Sequence, residues 1–264
     1  MSTYPPRDQL PPLGALGIDY TEDIHRPPGD PLNELSYHFP VIHQTVPNAT
    51  VPNVVASGKF SEEFLQAFVD ACNSLEKRGA IGIITSCGFL AQVQHRLAEK
   101  INIPIATSSL LQVPLVLSIL SPKKKVAILT FDGETLGEAH FEGIGVTPEM
   151  RKRVKVFGCK DGGHLRNLCI EGTPYVHEEL EKELVELAET AVSEDDSFGA
   201  FVLECTQMPP TSKAIQKATG LPVYDAITMI DWFYSGLRTR IIPEDKFKED
   251  GLRPRKREPK DKYD

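Results

Sequence analysis

GAIGIITSC, from Gly79 to Cys87, and SFGAFVLEC, from Ser197 to Cys205, decide how this chain folds. Each is an apolar run without alternation, which is how a strand reads when helices cover both faces of its sheet. Each strand ends one residue before a cysteine. Each is followed by a helical pattern and then by a short strand opening at an X-Pro-X step. Pro104 lies 17 residues beyond Cys87, and Pro222 lies 17 residues beyond Cys205. Upstream, Gly17-Ile18-Asp19 and Thr130-Phe131-Asp132 each close an apolar strand on an aspartate, 68 and 73 residues before the respective cysteine. This shared order predicts a duplicated unit. The fold class is α/β: two similar parallel-sheet halves related by a pseudo-twofold, with the active site in the cleft between them.

Working outward, residues 13–121 and 226–240 form the first half and residues 122–225 the second. Strands are predicted at Leu13 to Ile18, Ala80 to Thr85, Ile103 to Ala106, Val126 to Thr130, Val154 to Phe157, Ala200 to Leu203 and Leu221 to Tyr224. Ser61 is placed to cap a helix whose Phe64, Phe68, Cys72 and Leu75 share one face, so Cys72 is a core residue. Arg26 to Val55, rich in Pro and Asn, reads as a long, partly extended excursion of the kind that often carries function. The acidic run from Glu178 to Glu189 reads as a solvated helix face. The proline-rich start, 1–12, is expected to be flexible. The charged stretch 241–264 has too little apolar content to fold and is expected to be disordered.

The 264 residues are 41% hydrophobic, enough for a sizeable core. A net charge of −8 offers no basic field for nucleic acid, so no nucleic-acid partner is expected. Leu110 to Leu120, broken by Gln112 and Pro114, falls far short of the roughly 20 residues a membrane span needs. No membrane contact and no signal core are expected. Five widely spaced cysteines, Cys72, Cys87, Cys159, Cys169 and Cys205, with no CxxC pair and no zinc pattern, read as reduced thiols in the cytoplasm. No metal is expected.

Ligands of parallel α/β sheets bind at the carboxyl ends of the strands, where both cysteines and both aspartates fall. Stereoinversion at a carbon bearing hydrogen needs a base on one face and an acid on the other. A thiol, with an ordinary pKa near 8.5, serves either role after modest tuning. Each cysteine precedes a predicted helix, whose N-terminal N–H groups favour a thiolate and can hold a substrate carboxylate. Thr206, Thr85, Ser86, Ser108 and Ser109 are available hydroxyls. No lysine stands in an evident pyridoxal-phosphate context, and no cofactor is required.

From Leu13 to Arg238 the chain resembles the aspartate/glutamate/hydantoin racemase superfamily. Cys205-Thr206-Gln207-Met208-Pro209 is similar to the second cysteine motif of glutamate racemases, and Thr85-Ser86-Cys87 occupies the place of the first. Arg26-Pro27-Pro28-Gly29-Asp30-Pro31 to Phe39-Pro40-Val41 resembles a stretch of a less characterised branch. The resemblance implies opposed catalytic cysteines, Cys87 and Cys205, no pyridoxal phosphate, and a small carboxylate substrate held by amides and hydroxyls. It also implies a homo-oligomer. The chain departs from the pattern after Cys87. Aspartate and glutamate racemases continue Cys-Asn-Thr, whereas this chain continues Gly88-Phe89. That departure weakens an acidic amino acid as substrate more than it weakens the cysteine chemistry.

The leading expectation is a cofactor-independent racemase or epimerase acting on an amino acid, related carboxylate or hydantoin. The alternatives are a lyase or cis–trans isomerase of a small dicarboxylic acid, and a non-catalytic small-acid-binding protein. Asp19, Ser86, Gly88, Phe89, Asp132 and Thr206 are the candidate substrate contacts. Asp19 and Asp132 either orient groups in the cleft or cap loops, and Ser86 reads as a turn residue ahead of a ligand contact. Alternation along the strand sends Glu204 to the opposite face, a structural role. Cys159 and Cys169 read as structural, and His164 as an exposed loop histidine.

Overall fold

The strands with continuous apolar runs become the centres of two sheets and the weaker ones their edges. The computed structural model describes residues 4–20, 24–58 and 60–242. Its strands are β1 (Leu13–Gly17), β2 (Val41–Thr45), β3 (Ile83–Thr85), β4 (Ile105–Ala106), β5 (Lys125–Thr130), β6 (Val154–Gly158), β7 (Phe198–Leu203) and β8 (Val223–Tyr224). They form two parallel four-stranded sheets, ordered β2-β1-β3-β4 and β6-β5-β7-β8. The second order repeats the first strand for strand. Every residue of β1 and β3 is buried, and β5 and β7 are buried except at one position each. Such strands have no exposed face to mark with polar residues.

The helices are α1 (Val51–Val54), α2 (Glu62–Lys77), α3 (Gln94–Ala98), α4 (Val113–Ile119), α5 (Glu138–Gly143), α6 (Pro148–Arg151), α7 (His164–Glu171), α8 (His177–Glu194), α9 (Ser212–Thr219) and α10 (Ala226–Leu237). The Ser61 hydroxyl accepts the Phe64 N–H at 3.1 Å and caps α2, which buries Leu65, Phe68, Cys72 and Leu75. Cys72 is therefore core, and burial pushes its thiol up to about 12. α2 lies hard against β1. A Cβ on Gly14 would come within 2.8 Å of the Ile83 side chain and 3.0 Å of Leu75.

Two findings differ from the sequence reading. The Arg26–Val55 excursion contains β2, which pairs in parallel with β1 from Leu13↔Val41 to Gly17↔Thr45. β2 is an edge strand with alternating exposure, and its polar His43, Gln44 and Thr45 hide it among loop residues. His164 is not in a loop. It opens α7, where its ring pairs with Glu179 at 3.1 Å. The stretches 1–3 and 243–264, parts of the expected flexible start and disordered tail, lie outside the described residues.

One apolar cluster unites β1, α2, β5 and β7, and a second joins β1 and β3 to α10. Tyr234 of α10 stacks on Phe39 at 3.7 Å between ring centroids, and its hydroxyl donates to the Pro11 carbonyl at 2.9 Å. Asp225 caps α10, accepting the Thr228 N–H at 2.8 Å, and also takes the Ser212 hydroxyl at 2.6 Å. Asp225→Ala is expected to cost about 2 kcal/mol, the upper range for losing an N-cap. That is roughly a 5 °C fall in Tm, readable by thermal unfolding, while Asp225→Asn should retain most of the stability.

Candidate active site

The two halves meet at the carboxyl ends of β1, β3, β5 and β7. Thr206 donates its hydroxyl to the Ser86 carbonyl at 2.8 Å, and Ser109 donates to the Leu203 carbonyl at 2.6 Å, so hydrogen bonds cross between the sheets. Between them lies a cavity with about 310 Å³ of empty space. Cys87 and Cys205 both line it, together with Ser86, Gly88, Phe89 and Thr206. Cys87 precedes a 3-10 helix, Gly88–Val93, and receives the Phe89 N–H. Cys205 follows β7 and receives the Gln207 N–H.

The repeat extends to single hydrogen bonds. The residue before each cysteine accepts the N–H of the residue after the corresponding first strand. In the first half, Ile18 N–H donates to the Ser86 hydroxyl at 3.0 Å. In the second half, Phe131 N–H donates to a Glu204 carboxylate oxygen at 3.3 Å. The hydroxyls of Ser86 and Thr206 are thus already engaged in holding the cleft together.

Neither aspartate lines this cavity. Asp19 is exposed. Asp132 accepts the N–H groups of Glu134 and Thr135, each at 3.0 Å, and lies 3.5 Å from Arg166, along an adjoining space. Their chain neighbours Ile18, Tyr20 and Phe131 line the cavity instead. The strands therefore end in the right place, and the cavity begins one residue to either side.

Three groups were missed from the sequence. Glu204 does not point to the opposite face; it is 1% exposed and lines the cavity. β7 ends at Leu203, so strand alternation no longer governs the next side chain. One of its oxygens accepts the Thr130 hydroxyl at 2.8 Å as well as the Phe131 N–H. Cys169, read as structural, reaches the cavity from α7 and hydrogen-bonds Cys205. Tyr20 lines the same wall beneath the Arg26 guanidinium, which sits 5.1 Å from its ring. The position of Tyr20, just after the β1 aspartate, was the available signal.

The expectation that helix N-termini hold thiolates here is corrected. The element after Cys87 is a short 3-10 helix, and each sulfur meets a single N–H. Burial, reinforced by the nearby Glu204 charge, pushes the Cys87 thiol well above its ordinary value. The hydrogen bond to Cys169, then burial, does the same for Cys205. Burial also raises Glu204 to about 7, against the opposing pull of its hydrogen bonds to Thr130 and Phe131.

The raised Glu204 pKa has a consequence for stability. Between an unfolded pKa near 4.5 and a folded one near 7, the folded state binds the extra proton. Stability is therefore expected to fall as pH rises through that window, by an amount on the order of 3 kcal/mol. Glu204→Gln should remove this slope. Denaturant unfolding of both proteins from pH 4.5 to 8 checks it, and identical slopes would refute it.

The Arg26 to Asp30 stretch packs beside the second cysteine motif. Buried Asp30 accepts the Gln207 side-chain amide and pairs with Arg26 at 3.1 Å. Among the described residues, no cluster of three or more His, Cys, Asp or Glu is placed to hold a metal ion. Among them too, no helix is long and apolar enough to cross a membrane.

No family model matches the chain. It is 33% identical over 228 residues to a dimethylsulfoniopropionate lyase of Durusdinium sp. clade D, covering 85% of this chain and 74% of that protein. It is 31% identical over 236 residues to dimethylsulfoniopropionate lyase 7 of Emiliania huxleyi, covering 87% and 68%. Among solved structures, allantoin racemase from Klebsiella pneumoniae aligns with a TM-score of 0.57 at 14% identity, over 84% of this chain and 88% of that one. A cysteine-for-glycine mutant of arylmalonate decarboxylase in a sulfate-associated form aligns with a TM-score of 0.56 at 17% identity, over 86% and 93%. The fold, two pseudo-symmetric parallel α/β sheets, is the one these racemase and decarboxylase structures share.

Proposed function

Because the chain belongs to the family of the dimethylsulfoniopropionate lyases, we propose that it eliminates dimethyl sulfide from dimethylsulfoniopropionate, using a cysteine of the central cavity as the base. The observation that carries this reading is the meeting of two buried cysteines, from equivalent places in the two halves, in one cavity of a lyase-family chain. The reaction balances without any further reagent. A thiolate takes a proton from the carbon next to the carboxylate. The electron pair left behind forms the carbon–carbon double bond, and the neighbouring carbon–sulfur bond breaks. Dimethyl sulfide departs with that bond's electrons, and acrylate remains.

The racemase expectation and this reading share their first step. Both begin with removal of a proton beside a carboxylate. A racemase must return a proton on the other face. A substrate carrying a sulfonium on the next carbon loses its leaving group instead. Dimethylsulfoniopropionate also has no stereocentre to invert, so inversion has no meaning for it. The relatives therefore support the elimination alternative over stereoinversion.

The cavity suits a small, dry reaction. Only about 20 Å³ of it is open to a water-sized sphere, so the cleft is closed down tightly around its lining residues. Six of its thirteen lining residues are aromatic or aliphatic. The adjoining space shares Val51, Val55, Phe131 and Cys169 with it and is also lined by the Arg166–Asp132 ion pair. The raised thiols are neutral in the free protein, so substrate entry must help to form the thiolate.

The test is incubation of the full chain with dimethylsulfoniopropionate, following sulfide in the headspace and acrylate by proton NMR. Equal amounts of both products, lost in the cysteine variants, are expected. Sulfide without acrylate would indicate a different reaction. No product, together with α-hydrogen exchange on acidic amino acids or hydantoins, would return the protein to the racemases.

A further inference from the structure

Glu204 is a buried carboxylate that lines the cavity and forms no ion pair among the described residues. Among the described residues, no lysine, arginine or histidine comes within ion-pairing distance of it. The nearby guanidiniums are already engaged, Arg26 by Asp30 at 3.1 Å and Arg166 by Asp132 at 3.5 Å and Asp161 at 3.1 Å. The pseudo-symmetry shows what the position requires structurally. Ser86, its counterpart, needs only one oxygen to take the N–H of Ile18. Glu204 does the same work with one oxygen, through Phe131 and Thr130. Its charge and its other oxygen, which lies against Gly88, exceed that requirement.

The surroundings specify a ligand. Tyr20, Phe89 and Phe131 line the same cavity. Aromatic rings and a lone carboxylate are the combination that attracts a diffuse, methylated cation carrying no N–H to satisfy. An anionic group placed there would meet Glu204 in a water-poor site, where like charges repel strongly.

We propose that Glu204 receives the cationic head of the substrate, so that this cavity selects onium carboxylates over carboxylates with a neutral head. The assignment rests on the lyase reading for the identity of the natural substrate, but binding alone can test it. It also accounts for Gly88-Phe89 in place of the racemases' Cys-Asn-Thr continuation. The space beside Gly88 is filled by the Glu204 carboxylate, and Phe89 adds an aromatic wall. The head loses its charge as the carbon–sulfur bond breaks, so Glu204 favours the bound substrate more than the transition state. Its loss is then felt in KM more than in kcat.

The experiment is calorimetric titration of the full chain with two inert probes. One is 3-(trimethylammonio)propionate, whose amine is a poor leaving group. The other is 4-methylpentanoate, which has the shape of the substrate but an uncharged head. The wild type is expected to bind the cation about tenfold or more tighter than the neutral probe, as a desolvated charge contact implies. In Glu204→Gln that preference should collapse toward one while neutral-probe binding changes little, and Glu204→Asp should keep part of it. In turnover, Glu204→Gln should raise KM with a much smaller change in kcat. A wild type without cation preference overturns the proposal, and this result needs no variant to fold. An unchanged preference in a folded Glu204→Gln also overturns it. Failure of the lyase reading is separate, since it would show as absent sulfide and acrylate with the cation preference intact.

Discussion

Replacing either cavity cysteine with alanine is expected to abolish most sulfide release, but unequally. Elimination needs one base, and the leaving group departs as a neutral sulfide that requires no proton. The cysteine that removes the proton should cost about a thousandfold or more in kcat when deleted, within the usual range for a positioned base. The other thiol can polarise or shield the developing charge, and its loss should cost roughly ten- to a hundredfold. Stereoinversion predicts a different pattern. There both cysteines are indispensable for turnover, and each single variant retains proton exchange from one face only. Initial rates of acrylate formation for Cys87→Ala and Cys205→Ala, with deuterium exchange at the carbon next to the carboxylate followed in the same samples, separate the two. Both folded variants should keep binding a neutral-head carboxylate. Equal wild-type-like rates would remove the cysteines from the mechanism altogether.

The raised thiols make this test sharper. Burial, with Glu204 as a lesser cause, raises the Cys87 thiol, and the hydrogen bond to Cys169 and then burial raise that of Cys205. A cationic head bound near Glu204 offsets that carboxylate's influence and lowers the cost of forming a thiolate. A neutral-head ligand can fill the cavity without generating the base.

Much of this was legible in the chain. The two apolar runs ending at Cys87 and Cys205 betray buried parallel strands because no polar residue interrupts them. Their equal spacing to Pro104 and Pro222 betrays the repeat, and the sheet orders reproduce it. What was hidden follows from physics that spacing does not record. β2 was concealed because an edge strand alternates with solvent and reads as loop. Glu204 was sent to the wrong face because alternation holds only while the strand lasts, and β7 stops one residue earlier. Cys169 belongs to a short helix far along the chain, and only tertiary packing brings it against Cys205. The two aspartates were near misses of another kind. The strand ends located the cleft, but which residue of a turn faces inward depends on local backbone geometry.

Gly88→Ala is expected to be among the most damaging single-methyl changes in the protein, in stability as well as activity. A Cβ at this position would lie 2.3 Å from a Glu204 carboxylate oxygen and 2.4 Å from the Glu204 backbone carbonyl. The side chain can retreat only by giving up its hydrogen bonds to Thr130 and Phe131, and the carbonyl is fixed by β7 next to it. Overpacking of this kind costs about 3 kcal/mol, or roughly a 10 °C fall in Tm. Gly236→Ala is the matched control. A Cβ there meets nothing within 4 Å, and it lies inside α10, so the change should be neutral or stabilise by under about 1 kcal/mol. Removing the Glu204 side chain in a Gly88→Ala, Glu204→Ala double variant should recover only part of the loss, because the carbonyl contact remains. Thermal unfolding of the three variants checks the ordering, and a Gly88→Ala protein as stable as the wild type would show that the cleft yields freely. If it does not yield, the racemase-type asparagine cannot occupy this position while Glu204 stands opposite. The first cysteine motif and the residue before the second cysteine are then a single steric unit.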